Sequence, residues 1–186
     1  MRVISGSAKG IQLVSVPGKS TRPITDRVKE ALFNILSESV YDTTWLDLFG
    51  GTGAVGIEAL SRGAEHVLFI ELNFRACKVI HENLKATKLS EYASVQKMDA
   101  FTLLNADPDT AFDVIYVAPP QYQGMWIKAM QALDEKPTWL ADGGQIIIQI
   151  HPKEWDDSIG YANLIEFDRR QYGDTLLIFY EHSLPE

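Results

Sequence analysis

Residues 45–56 read Trp-Leu-Asp-Leu-Phe-Gly-Gly-Thr-Gly-Ala-Val-Gly, with four glycines inside seven positions. Neither a helix interior nor a strand tolerates that density of glycine, so 50–53 is predicted to be a turn between a short apolar strand and a helix. Gly51, Gly53 and Gly56 satisfy G-x-G-x-x-G, and Glu71 lies 20 residues beyond Gly51. That is the spacing of a nucleotide-binding βαβ unit, with a carboxylate at the end of the second strand placed for a ribose diol. The glycines let backbone approach a ligand without a Cβ in the way. They therefore specify an adenosine-bearing ligand and leave the reaction open; taken alone, the motif also fits a NAD-dependent oxidoreductase.

The rest of the chain extends this unit. β-Branched and aromatic runs predict strands at 45–49, 66–71, 94–99, 113–118 and 145–151. Helical spacing predicts helices at 55–62, 74–88 and 124–140, with a short one after Ala100. Runs at 164–169 and 176–181 flank Tyr172, Gly173 and Asp174, a turn signal that makes an antiparallel hairpin. The expected class is α/β, a seven-stranded, mostly parallel sheet finished by that hairpin. Ahead of it, 2–5 and 11–16 read as a small β-hairpin. Thr25 is the expected N-cap of a helix carrying Val28, Leu32, Ile35 and Leu36.

A length of 186 residues fits one domain, taken as 1–186 with an amino-terminal extension at 1–40 and a core at 41–186. Cys77 is the single cysteine, so no intrachain disulfide forms; a packed, inert thiol in a reducing cytoplasm is expected. His66, His81, His151 and His182 lack ligand spacing, so no metal is expected. No run is long and apolar enough to suggest a membrane span or a signal peptide. The net charge of −8 argues against nucleic acid until its distribution is read. Residues 1–30 hold six basic residues against two acids, a net +4, leaving −12 for the remainder.

Three successive strands end in Asp47, Glu71 and Asp99, on the edge where open α/β sheets bind ligands. Asp47, just ahead of the glycines, would repel a pyrophosphate and attract a cation. S-adenosylmethionine, with its sulfonium and α-amino groups and no phosphates, suits that edge. The fourth strand runs into Ala118, Pro119, Pro120, Gln121 and Tyr122 at the same edge. The prolines stiffen the backbone and present carbonyls outward, while Tyr122 offers a flat face to a base.

The segments Arg22-Pro-Ile-Thr-Asp-Arg-Val-Lys-Glu-Ala-Leu-Phe-Asn34, Asp47 to Gly53 and Glu58-Ala-Leu-Ser-Arg-Gly-Ala64 carry a resemblance covering nearly the whole chain. The sequence resembles the RsmD-type methyltransferases, which use S-adenosylmethionine to methylate the exocyclic N2 of a guanine in 16S ribosomal RNA. The resemblance implies a Rossmann-like methyltransferase fold. It implies donor contacts from Asp47, Phe49, Gly50, Gly51, Thr52, Gly53, Glu71, Leu72, Asp99 and Ala100. Arg2, Lys9, Lys19, Arg22 and Arg27 are implied to face RNA, and Ala118, Pro119, Pro120, Gln121 and Tyr122 to form the catalytic loop. The expected partner is ribosomal RNA or the small ribosomal subunit, met by a cytoplasmic monomer. One departure stands out: the family has Asp or Asn where Ala118 stands, and its aromatic follows the prolines directly. Gln121 and the Pro119 carbonyl are the replacement acceptors expected here. Two other readings remain, an adenine N6 methyltransferase and a donor-binding ribosome-assembly factor with weak or no transfer.

Overall fold

The computed structural model describes residues 1–17 and 24–183. Its seven strands belong to a seven-stranded α/β sheet, the class predicted. The chain divides into two compact units, Met1–Asp99 and Ala100–Glu186.

In the first unit, strands β1 (Thr44–Asp47), β2 (His66–Glu71) and β3 (Ala93–Lys97) run parallel in the order β3-β2-β1. Parallel neighbours need crossovers, and helices α2 (Ala54–Ser61) and α3 (Phe74–Thr87) supply them. All eight residues of α2 are buried, as its nearly continuous apolar sequence requires. Helix α3 starts on Asn73, whose side chain accepts the N–H groups of Arg75 and Ala76. Before the sheet comes α1 (Asp26–Leu36), capped by Thr25 as expected; the Thr25 hydroxyl accepts the Val28 N–H. Its Phe33 stacks on Trp45 with ring centroids 5.8 Å apart. The amino-terminal hairpin closes around one antiparallel bridge, Arg2 with Gln12. Much of its remaining backbone hydrogen bonding goes to side chains of α2.

In the second unit, α4 (Ala100–Asn105) precedes β4 (Phe112–Val117), and α5 (Met125–Glu135) leads to β5 (Leu140–Ile150). Strand β5 pairs parallel with β4 and antiparallel with β7 (Thr175–His182), which pairs with β6 (Leu164–Tyr172). The terminal hairpin turns at Gly173, φ 58°, as predicted. Helix α5 is shorter than the expected 124–140. Pro137 lacks an N–H and disfavours helical φ/ψ at Lys136, so the helix ends and a single tighter turn, Pro137–Trp139, leads into the strand. Strand β5 correspondingly begins at Leu140, with an irregular register between Phe112 and Val114. The apolar interior of this unit is built from Ile115, Ile146, Ile147, Ile148, Leu177, Ile178 and Phe179, all fully buried.

Candidate functional site

The glycine turn joins β1 to α2, and each part of it is fixed by a named contact. The Gly50 N–H donates to the Ile70 carbonyl at 2.8 Å, the Gly53 N–H to the Gly50 carbonyl at 2.7 Å, and the Gly51 N–H to Glu71 Oε2 at 2.8 Å. Gly51 sits at φ 56°, which other residues adopt at a cost. A Cβ there would meet only the Phe49 carbonyl oxygen, at 3.8 Å, so the backbone at Gly51 is open to a ligand. Gly56 serves packing instead: a Cβ would lie 2.4 Å from the Phe69 ring, so α2 rests directly on β2.

Glu71, at the end of β2, binds the turn from the side. Its Oε2 takes the Gly51 N–H and its Oε1 the Asn73 N–H at 2.7 Å. A carboxylate offers about four lone-pair sites, so acceptor capacity remains on both oxygens. Asp47, at the end of β1, is 2% exposed, and its Oδ1 has no hydrogen-bond partner among the described residues. Burial pushes its carboxyl up to about 8; the charge of Glu71 adds to this, and backbone N–H groups of Gly56 and Phe49 oppose it. An orphaned, buried carboxylate oxygen costs stability and marks a place where a cationic or hydrogen-bond-donating ligand would find an acceptor. The structure thus brings Asp47, Gly51 and Glu71 together. Leu72 follows at 63% exposure, Asp99 lies two residues beyond the end of β3, and buried Ala100 opens α4.

Three side chains that sequence reasoning passes over hold the amino-terminal segment to this unit. Glu58, fully buried on α2, accepts the Ile4 N–H at 2.8 Å, the Ser5 N–H at 3.0 Å and Arg62 Nε at 2.8 Å. Lys29 Nζ lies 3.3 Å from Glu58 Oε2 and donates to the Arg2 carbonyl at 2.6 Å. The sequence groups Lys29 with the basic face of the segment, yet its side chain is fully buried, and desolvation lowers its pKa against the pull of Glu58. Asn83, fully buried on α3, accepts the Val14 N–H and donates to the carbonyls of Val14 and Thr52, so it fastens the segment and the glycine turn together. The available signal was a charged or amide side chain in a mostly apolar helix stripe, which Glu58 and Asn83 both show.

In the second unit, β4 ends at Val117. Ala118 is half-buried, Pro119 buried, Pro120 exposed and Gln121 half-buried. Tyr122 is 64% exposed with φ 60°, an uncommon conformation for a bulky residue. Its N–H donates to Glu154 Oε1 at 2.8 Å, and its ring lies 5.5 Å from that of His151.

Of the residues expected to face RNA, Lys9 and Arg27 are placed outside the buried interior, and Arg2 is exposed with Nε 3.5 Å from Asp26. Lys19 and Arg22 lie outside the described residues. No helix among the described residues is long and apolar enough to cross a membrane.

A family described as Conserved hypothetical protein 95 matches residues 1–181. Bacillus subtilis YlbH, named as a proposed rRNA methyltransferase, is 39% identical over 183 residues, covering 97% of this chain and 98% of that protein. Ribosomal RNA small subunit methyltransferase D of Escherichia coli K12 is 34% identical over 149 residues, 80% of this chain and 74% of that one. Among solved structures, yhhF of Escherichia coli, a proposed methyltransferase, superposes with a TM-score of 0.85 at 30% identity, over 98% of this chain and 97% of that one. The likeness in sequence and in fold runs through the glycine turn, both units and the terminal hairpin, and the chain belongs to the RsmD-type methyltransferase family that carries the description Conserved hypothetical protein 95.

Proposed function

We propose that the chain is an rRNA methyltransferase that uses S-adenosylmethionine to methylate the exocyclic N2 of a guanine in 16S ribosomal RNA. It acts as a monomeric single methyltransferase domain on the RNA or the small ribosomal subunit, with residues 1–40 as the RNA-facing extension. Family membership supports the reaction class, and the buried, unpartnered Asp47 oxygen beside an open glycine turn is the observation that carries the donor site. The residues fit the donor's chemistry. Asp47 and Glu71 supply acceptors, the open backbone at Gly51 lets an adenosine group approach, and Leu72 and Asp99 are assigned to the same set. When bound, S-adenosylmethionine supplies an electrophilic methyl group on a sulfonium centre.

The protein's share of the transfer is positioning and charge removal. A guanine amino group is a weak nucleophile because its lone pair is delocalised into the ring. Acceptors that grip its N–H bonds favour a pyramidal nitrogen and take up charge as it develops. Ala118 has no side-chain acceptor, so the Pro119 carbonyl and the Gln121 amide oxygen take that role, and Tyr122 stacks on the extruded base. Lys9, Arg27 and Arg2, with Lys19 and Arg22, hold phosphates.

The test is incubation of purified protein with labelled S-adenosylmethionine and small subunits lacking the modification, followed by mapping of the methylated nucleotide by mass spectrometry. Label on guanine N2 is expected; label on adenine N6 would refute the target. Ala118 favours a second reading, a donor-binding assembly factor without transfer. Tight donor binding with no label in any RNA would establish that instead.

A further inference from the structure

Tyr122 is held in its left-handed conformation by residues that neither the sequence motif nor the donor site accounts for. Glu154 lies on the single helical turn Pro152–Glu154 that follows β5. Its Oε1 accepts the Tyr122 N–H at 2.8 Å and its Oε2 accepts the His151 N–H at 3.2 Å. One carboxylate therefore ties together the loops that leave two neighbouring parallel strands, β4 and β5. His151 completes the clamp. Its Nδ1 accepts the Lys153 N–H at 3.1 Å, which fixes the ring, and that ring lies beside Tyr122 at an interplanar angle of 41°. A residue strained in this way persists only where its surroundings over-determine it, and such residues collect at functional sites. The exposure of the ring excludes packing as the reason. Tyr122 presents most of its surface outward, and its phenol has no partner among the described residues.

We propose that Glu154 is a positioning residue, which, with His151 against the ring, fixes Tyr122 as a preorganised stacking platform for the target purine. The proposal rests on the transfer reading above and deepens it by naming what orients the base. A flat π-face accepts any base, so the gain from fixing it is orientation: the ring does not have to be ordered when the base arrives. Glu154 touches no reacting atom and acts through Tyr122 alone.

The test is single-turnover methyl transfer at saturating donor for wild type, Glu154→Ala, Glu154→Gln, Tyr122→Ala and the double variant Glu154→Ala/Tyr122→Ala, with donor affinity measured by calorimetry. Glu154→Ala is expected to lose about 10- to 100-fold in rate with donor affinity unchanged. Glu154→Gln, whose one amide oxygen can accept the Tyr122 N–H while its NH2 group cannot accept the His151 N–H, is expected to fall between wild type and Glu154→Ala. The double variant is expected to be no slower than Tyr122→Ala, because the two act as one unit. A normal rate in Glu154→Ala, or losses that multiply in the double variant, would overturn the proposal while wild-type transfer keeps the functional reading intact. Failure of the wild type to methylate guanine would overturn both. Should Glu154→Ala not fold, Glu154→Asp, one methylene too short to span both N–H groups, carries the same expectations.

Discussion

Replacing Asp47 by Asn should raise stability while weakening donor binding, and both signs follow from one buried carboxylate. In the folded chain burial pushes the Asp47 carboxyl from 3.8 to about 8. Between those values the unfolded chain has lost the proton and the folded chain keeps it, so the folded state binds more protons and stability falls as pH rises. The advantage of the neutral folded form is complete below the unfolded value and is lost through the window up to about pH 8. Each pH unit inside it is worth about 1.36 kcal/mol, so the interval from about pH 5 to about pH 8 costs up to about 4 kcal/mol. The Asn side chain is isosteric, keeps an acceptor for the Gly56 and Phe49 N–H groups, and does not titrate. Urea unfolding of both proteins across that interval should show the Asp47→Asn variant gaining on wild type as pH rises, then a constant difference. The group that a cationic donor would draw into its charged form is lost with the same change, and S-adenosylmethionine affinity should fall by about 1.5 to 3 kcal/mol. Parallel pH profiles for the two proteins would refute the buried-carboxylate argument, and equal calorimetric affinities would refute the donor role.

Glu58→Ala leaves Lys29 buried without its counter-charge and the Ile4 and Ser5 N–H groups without an acceptor, so a loss of about 3 to 5 kcal/mol is expected in denaturant unfolding. Replacing both Glu58 and Lys29 by Leu should cost clearly less than the single change; an equal loss would mean that packing, not charge, dominates. Gly56→Ala drives a methyl into the Phe69 ring and should lower stability by about 1 to 3 kcal/mol, seen as a reduced melting temperature with the circular dichroism of the fold retained. Neutralising Lys9 and Arg27 should lower RNA affinity and flatten its log–log salt dependence by about 0.7 to 0.9 per lost phosphate contact, with donor affinity held. Unchanged salt slopes would remove them from the interface.

The parts of the site that were legible in the sequence are those whose constraints are local. Gly51 and Gly53 need positive φ, Gly56 needs closeness to β2, and Asp47 and Glu71 end strands, all within one βαβ unit. The Thr25 cap is equally local. The burial of Lys29 is not, because it depends on Glu58 from a helix much further along the chain and on the carbonyl of Arg2. The stripe Val28, Lys29, Leu32, Phe33, Leu36 shows in hindsight that Lys29 faces inward. The left-handed Tyr122 is non-local in the same sense: its partner Glu154 lies 32 residues on, and no local pattern announces the pair. The end of α5 is a different kind of miss. Trp139 and Leu140 keep apolar character past the break, and that pattern masked a Pro137 that was in plain view.

The charge distribution changes meaning once Lys29 is placed inside. On sequence alone the amino-terminal stretch offers six cations to RNA. Lys29 answers the Glu58 charge in the interior, and Arg2 shares Asp26, so the described residues of that stretch leave Lys9 and Arg27 as cations without an ion pair to another described residue. Fewer cations than the six counted in sequence, on a chain of net charge −8, give weaker sequence-independent attraction than that count suggests. Discrimination would then come from geometry at the base, the role proposed above for the strained and clamped Tyr122. An enzyme of this kind would bind bare RNA weakly and depend on the shape presented by a folded substrate. On that reasoning an assembled small subunit is expected to be methylated faster than a short oligonucleotide carrying the same guanine, and equal single-turnover rates on the two would refute it.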